Sequence, residues 1–283
     1  MTLDRIGTQD SPHPLETAFE QWFSFATGRH TWISVKGPTL RGLVSARKRG
    51  SKLAWEIDCL IDAEPDDDGV LLSLVDQVTE AAGRSGALRI FIRVPGASHL
   101  EAAIIRCGFG AYARETVYWS SSEPLAAHRR NVEGLERRTK EDAYRVFQLY
   151  NDLVPESVRR FEAMTFTEWT AAQERLGRTS QWVLRDGGKL SGWLRVAGDG
   201  EIGRFEVLGT HDALDDLIGA ALHKVANRER AYTLVPEHQW AVAERLAGIG
   251  FEEGESYAVL SRRTVRPVKV AQRVPAVART TMV

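Results

Sequence analysis

Residues 88–119 read LRIFIRVPGASHLEAAIIRCGFGAYARETVYW and predict a strand, a tight turn, a short helix and a second strand. The first seven residues are mostly apolar and β-branched, as in a buried strand, and Pro95 ends that strand. Ser98 and Glu101 have the spacing of a capping box at a helix start. The Gly-Phe pair at 108–109 ends the helix and returns the chain to the core. The apolar residues between these signals fall on one helical face: Leu100, Ala103, Ile104 and Cys107.

A second copy of this pattern lies in residues 232–260, which read YTLVPEHQWAVAERLAGIGFEEGESYAVL. Pro236 corresponds to Pro95, and Phe251 corresponds to Phe109 at almost the same spacing. We therefore predict a chain built from two similar α/β units.

Composition agrees with two globular units. A length of 283 residues corresponds to about two domains of roughly 100–200 residues each. The net charge of −1 disfavours bulk attraction to nucleic acid or to a membrane. Cys59 and Cys107 lie in apolar segments and are expected to be reduced and buried. No apolar run reaches the roughly 18–20 residues of a membrane span, and residues 1–14 lack the apolar core of a secretion signal, so we expect a cytoplasmic protein.

We expect an N-terminal domain over residues 1–122, a linker over 123–133, a C-terminal domain over 134–263 and a basic, flexible tail over 264–283. The tail has basic but no acidic residues. It lacks the interleaved aromatic residues of a nucleic-acid arm, so a solvated tail is favoured over that alternative.

Turn residues and apolar periodicity divide each domain into elements. In the first domain they predict a helix over 15–27, strands over 31–36, 40–47 and 52–61, and a helix that begins at Asp66, Asp67 and Asp68. In the second they predict a strand over 135–138, a helix capped by Thr139, a helix over 167–176, strands over 180–186, 189–196 and 201–208, a helix capped by Asp212, and a helix from Gln239.

Each unit thus has a three-strand meander, a helix, a strand, a short helix that ends in Gly-Phe, and a final strand. This order resembles the GNAT (GCN5-related N-acetyltransferase) superfamily over residues 15–122 and 134–263. The resemblance implies an α/β protein of α+β type, with mixed sheets in two tandem GNAT-like acyltransferase domains, the first of them trimmed. It also implies acyl transfer from acetyl-CoA, as co-substrate, to an amine.

The family holds the coenzyme A pyrophosphate in a Q/R-x-x-G-x-G/A loop before a helix, where backbone amides and the helix dipole attract phosphate. The matching residues 61–69 of the first unit contain one glycine and five carboxylates, which would repel a pyrophosphate. The matching residues 208–213 contain one glycine and a single acid. We therefore predict that any coenzyme A binds the second unit, at Leu208, Gly209 and Thr210.

Many family members place a tyrosine five residues before the phenylalanine of the Gly-Phe ending. Here those positions are Ile104 and Leu246, which lie on apolar helix faces and are predicted to be buried. The remaining catalytic candidates lie on strands: Glu206 as the most plausible base, Tyr257 and Glu56.

Glu56 and Asp58 are two residues apart on one strand and therefore lie on the same face. A proton relay would use both, but ion pairs with Arg47 or Arg49 across the hairpin are favoured. Packing roles are expected for Tyr118, Trp182 and Trp193. The histidines show no close metal-ligand spacing, so no metal site is expected.

The leading interpretation is an acyl-CoA-dependent N-acyltransferase that acts on an amine of a small molecule or a protein. The alternative is a GNAT-fold ligand-binding or protein-interaction module that has lost coenzyme A binding. Neither a nucleic acid nor a membrane is an expected partner, and the sequence leaves the acyl acceptor and the oligomeric state open.

Overall fold

A computed structural model describes residues 28–64, 68–121, 124–199 and 201–264. The described elements of the first half are β1 (Arg29–Lys36), β2 (Thr39–Lys48), β3 (Ala54–Asp62), α1 (Asp68–Arg84), β4 (Arg89–Pro95), α2 (His99–Arg106) and β5 (Gly110–Ser121). The meander, both helices and the last two strands are confirmed within a few residues. The predicted helix over 15–27, Asp66 and Asp67 lie outside the described residues.

The second half follows a 3-10 turn over Pro124–His128. Its described elements are β6 (Leu135–Arg137), α3 (Asp142–Leu153), α4 (Glu156–Glu162), α5 (Phe166–Ala172), β7 (Thr179–Asp186), β8 (Lys189–Asp199), β9 (Ile202–Gly209), α6 (Leu214–Lys224), β10 (Arg230–Pro236), α7 (Trp240–Gly248) and β11 (Glu252–Arg263). The order of meander, helix, strand, helix and strand is therefore the same in both halves.

Within the described residues the strands form a single sheet of eleven, in the order β1-β2-β3-β4-β11-β5-β10-β9-β8-β7-β6. The last strand of each half pairs with the other half. β11 lies antiparallel between β4 and β5, with Tyr257 opposite both Pro95 and Glu115, and β5 runs antiparallel to β10. The two halves are thus joined by exchanged strands, which the repeat in the sequence does not predict.

Helices cover both faces of this sheet. On one face, α1 and α2 pack over the first half, and α6 and α7 pack over the second. On the other face, α3 and α5 cover parts of both halves, because Phe91 of β4 and Trp193 of β8 belong to the same apolar cluster. The side chains of Ile104 and Leu246 are fully buried, so the prediction that they are core residues is confirmed.

Three expected helix boundaries are wrong. Thr139 does not cap α3; instead its backbone amide and hydroxyl each donate to the Asp142 carboxylate at 2.8 Å. Asp212 does not cap α6, which begins at Leu214 after a 3-10 turn and has no side-chain cap. The helix predicted over 167–176 ends at Ala172, whose carbonyl oxygen accepts from Arg49 Nη1 at 3.0 Å.

The helix α4 was not predicted. It follows Pro155 directly, and the amides of Val158 and Arg159 donate to the Pro155 carbonyl oxygen at 3.0 Å. The capping box at α2 is half formed: the Glu101 amide donates to Ser98 Oγ, but the Glu101 carboxylate accepts from the Ala97 amide.

Candidate functional site

A cavity of about 170 Å³ lies where β9 and β10 separate. These parallel strands pair from Arg230 and Ile202 as far as Tyr232 and Arg204, and then diverge. Glu206 and Leu208 line one side, and Thr233 and Val235 line the other. Helix α3 and the segment after α5 close the cavity on one face of the sheet, and the residues at the start of α7 border it on the other.

Charged side chains are concentrated around this cavity. Its lining includes four arginines and four glutamates: Arg49, Arg93, Arg195, Arg204, Glu115, Glu162, Glu174 and Glu206. Buried charges are costly unless each has a partner, so the pairing of these groups defines the site.

Glu174 lies at the centre of the pairing. Its carboxylate accepts from Arg93 Nη1 at 3.0 Å and lies 3.8 Å from Arg49 Nη2. Its backbone carbonyl accepts from Arg195 Nη1 at 3.2 Å. Burial opposes ionisation of this carboxylate, but the charges of Arg93 and Arg49 outweigh it and lower its pKa.

The network of ion pairs continues into the first half, where Glu56 pairs with the two arginines predicted for it. Its carboxylate accepts from Arg47 at 2.5 Å and from Arg49 at 3.0 Å, and Asp58 pairs with Arg29. The favoured ion-pair role is confirmed, and Glu56 is buried, with only 2% of its surface accessible. Glu56 is not among the residues that line the cavity.

In the first half, β3 and β4 also run parallel and then diverge, beyond Ile57 and Ile92. There the ion-paired side chains of Asp58 and Arg93 are almost completely buried. Arg93 also lines the cavity of the second half, so the two separations share this side chain.

Glu206 lines the cavity, as expected for a site residue, but two arginines hold it. Arg195 donates to its carboxylate at 2.8 Å through Nε, and Arg204 also donates to it. Burial raises its pKa, and the charges of Arg195 and Arg204 outweigh that effect, so the pKa lies below the ordinary value. A carboxylate with a low pKa accepts protons poorly at neutral pH.

Glu56 and Tyr257, the other two catalytic candidates, lie outside the cavity lining. The Tyr257 hydroxyl donates to Glu255, and the ring packs in a cluster with Val117 and Leu234. Tyr118 packs against Leu125 in the core of the second half, and Trp193 forms part of the cavity wall.

His238 was not predicted as a site residue, but it lies in the cavity wall. Both ring nitrogens are buried and lack a hydrogen-bond partner among the described residues. Burial lowers the pKa of this imidazole, with Glu237 opposing the effect, so the ring is neutral at neutral pH. One sequence signal could have indicated it, because His238 follows the carboxyl end of a parallel strand, where ligands bind in open α/β sheets.

Glu162 and Tyr150 form a second pair in the cavity that the sequence did not indicate. The Tyr150 hydroxyl donates to the Glu162 carboxylate at 2.9 Å. Burial raises the pKa of Glu162, with the Tyr150 hydrogen bond and Arg49 acting against it.

The predicted cofactor loop begins at Leu208, which borders the cavity, and continues through Gly209 to Thr210. The Thr210 amide donates to the Ser191 carbonyl oxygen at 2.9 Å and is therefore occupied. No side chain caps the 3-10 turn that follows or the start of α6, since Asp212 makes no capping bond. Arg245 contacts the same turn, donating to the His211 carbonyl oxygen at 3.2 Å.

These features match a phosphate site in part. A helix start without a side-chain cap and a neighbouring arginine both favour an anion. Two nearby acids are already paired, Asp215 with Arg245 at 2.9 Å and Asp216 with Arg130 at 3.8 Å. The start of α6 therefore suits an anion only in part, because the amides of Ala213 and Leu214 already donate to Thr210 and His211, and Asp212 has no cation within 4 Å among the described residues.

No helix in the described part of the chain is both long and apolar enough to cross a membrane. Nor do its His, Cys, Asp and Glu residues form a group of three or more that could hold a metal ion.

Comparison with solved structures identifies the fold. A GCN5-related N-acetyltransferase from Sphaerobacter thermophilus is similar with a TM-score of 0.56 at 12% identity, over 93% of this chain and 91% of that one. A GCN5-related N-acetyltransferase from Kribbella flavida has a TM-score of 0.50 at 12% identity, over 87% and 94%. A functionally unknown conserved protein from Staphylococcus epidermidis has a TM-score of 0.54 at 10% identity, over 75% and 85%.

No protein-family model and no curated protein matches the sequence. The structural matches, together with the repeated order of elements, show that the chain has the GNAT fold in two GNAT-like halves. Because these structures are only distantly related in sequence, they establish the fold, and the activity must be argued from the site.

Proposed function

We propose that the second half is an N-acyltransferase site that transfers an acyl group from acyl-CoA to an amine of a small molecule or a protein. The observation that carries the proposal is the open separation of β9 and β10, with the neutral imidazole of His238 in its wall. Beyond Arg204, the edge of β9 that faces β10 is no longer paired with it, so an extended ligand can lie along it.

The uncapped start of α6, with Arg245 beside it, would hold the pyrophosphate of this substrate. The bound thioester supplies an activated acyl carbonyl. The residues of the chain must then hold the amine and remove its proton, since an ammonium group cannot attack a carbonyl.

We assign proton acceptance to His238 in preference to Glu206. A neutral imidazole whose nitrogens have no other partner can accept a proton at neutral pH. Glu206 is already bound to two arginines, so its proposed role is to position Arg195 and Arg204.

The test is thiol release from acetyl-CoA with a panel of primary amines, measured as a function of pH. We expect kcat/KM to fall as the pH drops through a value below 6.5, since the pKa of His238 is lowered. His238→Gln should reduce kcat/KM by about 10²- to 10⁴-fold, the usual contribution of a general base. His223→Gln, at an exposed position on α6, is the matched control and should behave like the wild type.

The alternative remains a non-catalytic ligand-binding module, and Asp212 at the start of α6 favours it. Acetyl-CoA that binds only the folded protein must raise the melting temperature. A raised melting temperature with wild-type turnover in His238→Gln would refute the role of His238. If acetyl-CoA neither raises the melting temperature nor releases thiol with any amine, the acyltransferase proposal is wrong.

A further inference from the structure

The buried ion pairs described above can be followed across the sheet as an alternating series. From β1 to the cavity, four arginines alternate with four carboxylates: Arg29, Asp58, Arg47, Glu56, Arg49, Glu174, Arg93 and Glu115. In this series, opposite charges are equal in number.

At the cavity end, a second cluster has more arginines than carboxylates. There Arg195 and Arg204 share one carboxylate, that of Glu206. Among the described residues, neither guanidinium has a second carboxylate within 4 Å, so this cluster is one anion short.

Arg204 is the member of the cluster that has unused donors. Its side chain is only 4% accessible, and its Nε and Nη1 atoms have no hydrogen-bond partner in the described part of the chain. Its third nitrogen, Nη2, is the one that donates to Glu206. Native proteins rarely leave buried donors unpaired, because the lost hydration costs about 1–3 kcal/mol per group.

The surroundings of Arg204 leave the cavity as the place for a partner. The guanidinium carbon lies 5.8 Å from the centre of the Tyr232 ring, a cation–π contact that attracts the charge but gives Nε and Nη1 no hydrogen-bond partner. Glu162 is the remaining carboxylate in the lining, but it already accepts from Tyr150.

We infer that the molecule bound in this cavity presents a carboxylate to Arg204. A carboxylate is planar, fits the guanidinium geometry and is small enough for a cavity of about 170 Å³. It would complete a cluster of two guanidinium groups and two carboxylates. The inference rests on the proposed function for the identity of the ligand, which is either an amine acceptor with a carboxyl group, such as an amino acid, or a dicarboxylic acyl group.

Binding is tested first, without turnover. The melting temperature is measured with matched pairs that differ in one carboxylate: L-lysine and cadaverine, L-phenylalanine and phenethylamine, succinate and succinamide. We expect at least one carboxylate member to raise the melting temperature of the wild type and its partner to leave it unchanged. In Arg204→Met the same ligand should bind about 10- to 100-fold more weakly, as for a lost hydrogen bond to a charged group.

Two further variants protect this test from a folding defect. Loss of Arg204 leaves Glu206 still paired with Arg195, so that no buried charge is left alone, and a second substitution at this position, Arg204→Gln, should also lose the response. Arg185→Met, at a partly exposed arginine paired with Asp142, is the matched control and should keep the wild-type response.

Thiol release then separates the two sources of the carboxylate. A preference for lysine over cadaverine that Arg204→Met removes would place the carboxylate on the acceptor. A preference for succinyl-CoA over acetyl-CoA that the same variant removes would place it on the acyl group.

The inference is wrong if no carboxylate raises the melting temperature, if the neutral partners raise it equally, or if Arg204→Met retains the response. Selective stabilisation by a carboxylate without thiol release would support the inference and refute the acyltransferase. Thiol release with no preference for a carboxylate would support the acyltransferase and refute the inference.

Discussion

Glu174 joins the buried charges of the two halves. It accepts from Arg93, approaches Arg49 and contacts Arg195 through its backbone. Glu174→Gln would leave buried arginines without their anion, so we expect the free energy of unfolding to fall by about 3–5 kcal/mol in urea denaturation. Glu156→Gln, which breaks an exposed pair with Arg160, is the control and should leave the midpoint unchanged. A loss below about 1 kcal/mol for Glu174→Gln, the size typical of a surface ion pair, would show that the network is not coupled to folding.

The same carboxylate makes the stability pH-dependent. Despite its burial, Arg93 and Arg49 hold its pKa below the ordinary 4.5, so the unfolded chain takes up the proton first as the pH falls. Its stabilising contribution is therefore present above pH 4.5 and is lost as the pH falls from 4.5 through the lower, folded-state pKa. We expect the free energy of unfolding to decline more steeply with acid in the wild type than in Glu174→Gln. Parallel acid profiles for the two proteins would contradict this assignment.

Adjacent isoleucines on α2 test the packing of the first half. Ile104 is fully buried and Ile105 is 46% accessible. Ile104→Ala should lower the free energy of unfolding by about 2–5 kcal/mol, because it removes core contacts and leaves a cavity. Ile105→Ala should cost much less, as measured in the same denaturation experiment. Equal losses for the two variants would mean that the face of α2 has been assigned wrongly.

At the scale of elements, the turn between β2 and β3 in the first half docks against α5 in the second. The Gly50 amide donates to the Ala171 carbonyl oxygen at 3.0 Å, and a Cβ at Gly50 would lie 2.3 Å from the Thr170 carbonyl oxygen. Gly50→Ala should force these elements apart and lower the free energy of unfolding by about 1–3 kcal/mol. Gly177→Ala, where a Cβ has open space, is the matched control. An unchanged urea midpoint for Gly50→Ala would show that the turn does not contact α5 this closely.

Local patterns were sufficient to predict most elements but not their ends. The strands around the Arg49 and Gly187 turns follow from alternation and turn residues, as does the buried face of α1. The last carbonyl of α5 accepts from Arg49, more than a hundred residues away in the sequence, and no local pattern contains this contact. The site residues show the same difference between what a local pattern predicts and what only the folded structure shows. Glu206 was identified from its strand, whereas the unpaired Nε and Nη1 donors of Arg204 are visible only once its neighbours are placed.

For the whole molecule, the exchanged strands predict that neither half folds alone. A fragment of residues 1–131 would lack β11, which separates β4 from β5, and would leave both as unpaired apolar edges. We expect fragments 1–131 and 132–283 to be insoluble or unfolded when expressed separately and to assemble when expressed together, as judged by gel filtration and circular dichroism. A monomeric first fragment with cooperative unfolding would contradict the importance of the exchange.

Hydrogen exchange with saturating acetyl-CoA tests the central claim that the donor site lies in the second half. Protection is expected in residues 207–216 and 233–239, which form the end of β9, the start of α6 and the border of the cavity at β10. Residues 61–72 should be unaffected, because the five carboxylates of residues 61–69 would repel a pyrophosphate. Protection of 61–72 alone would show that the halves are assigned in reverse, and protection of neither segment would refute coenzyme A binding.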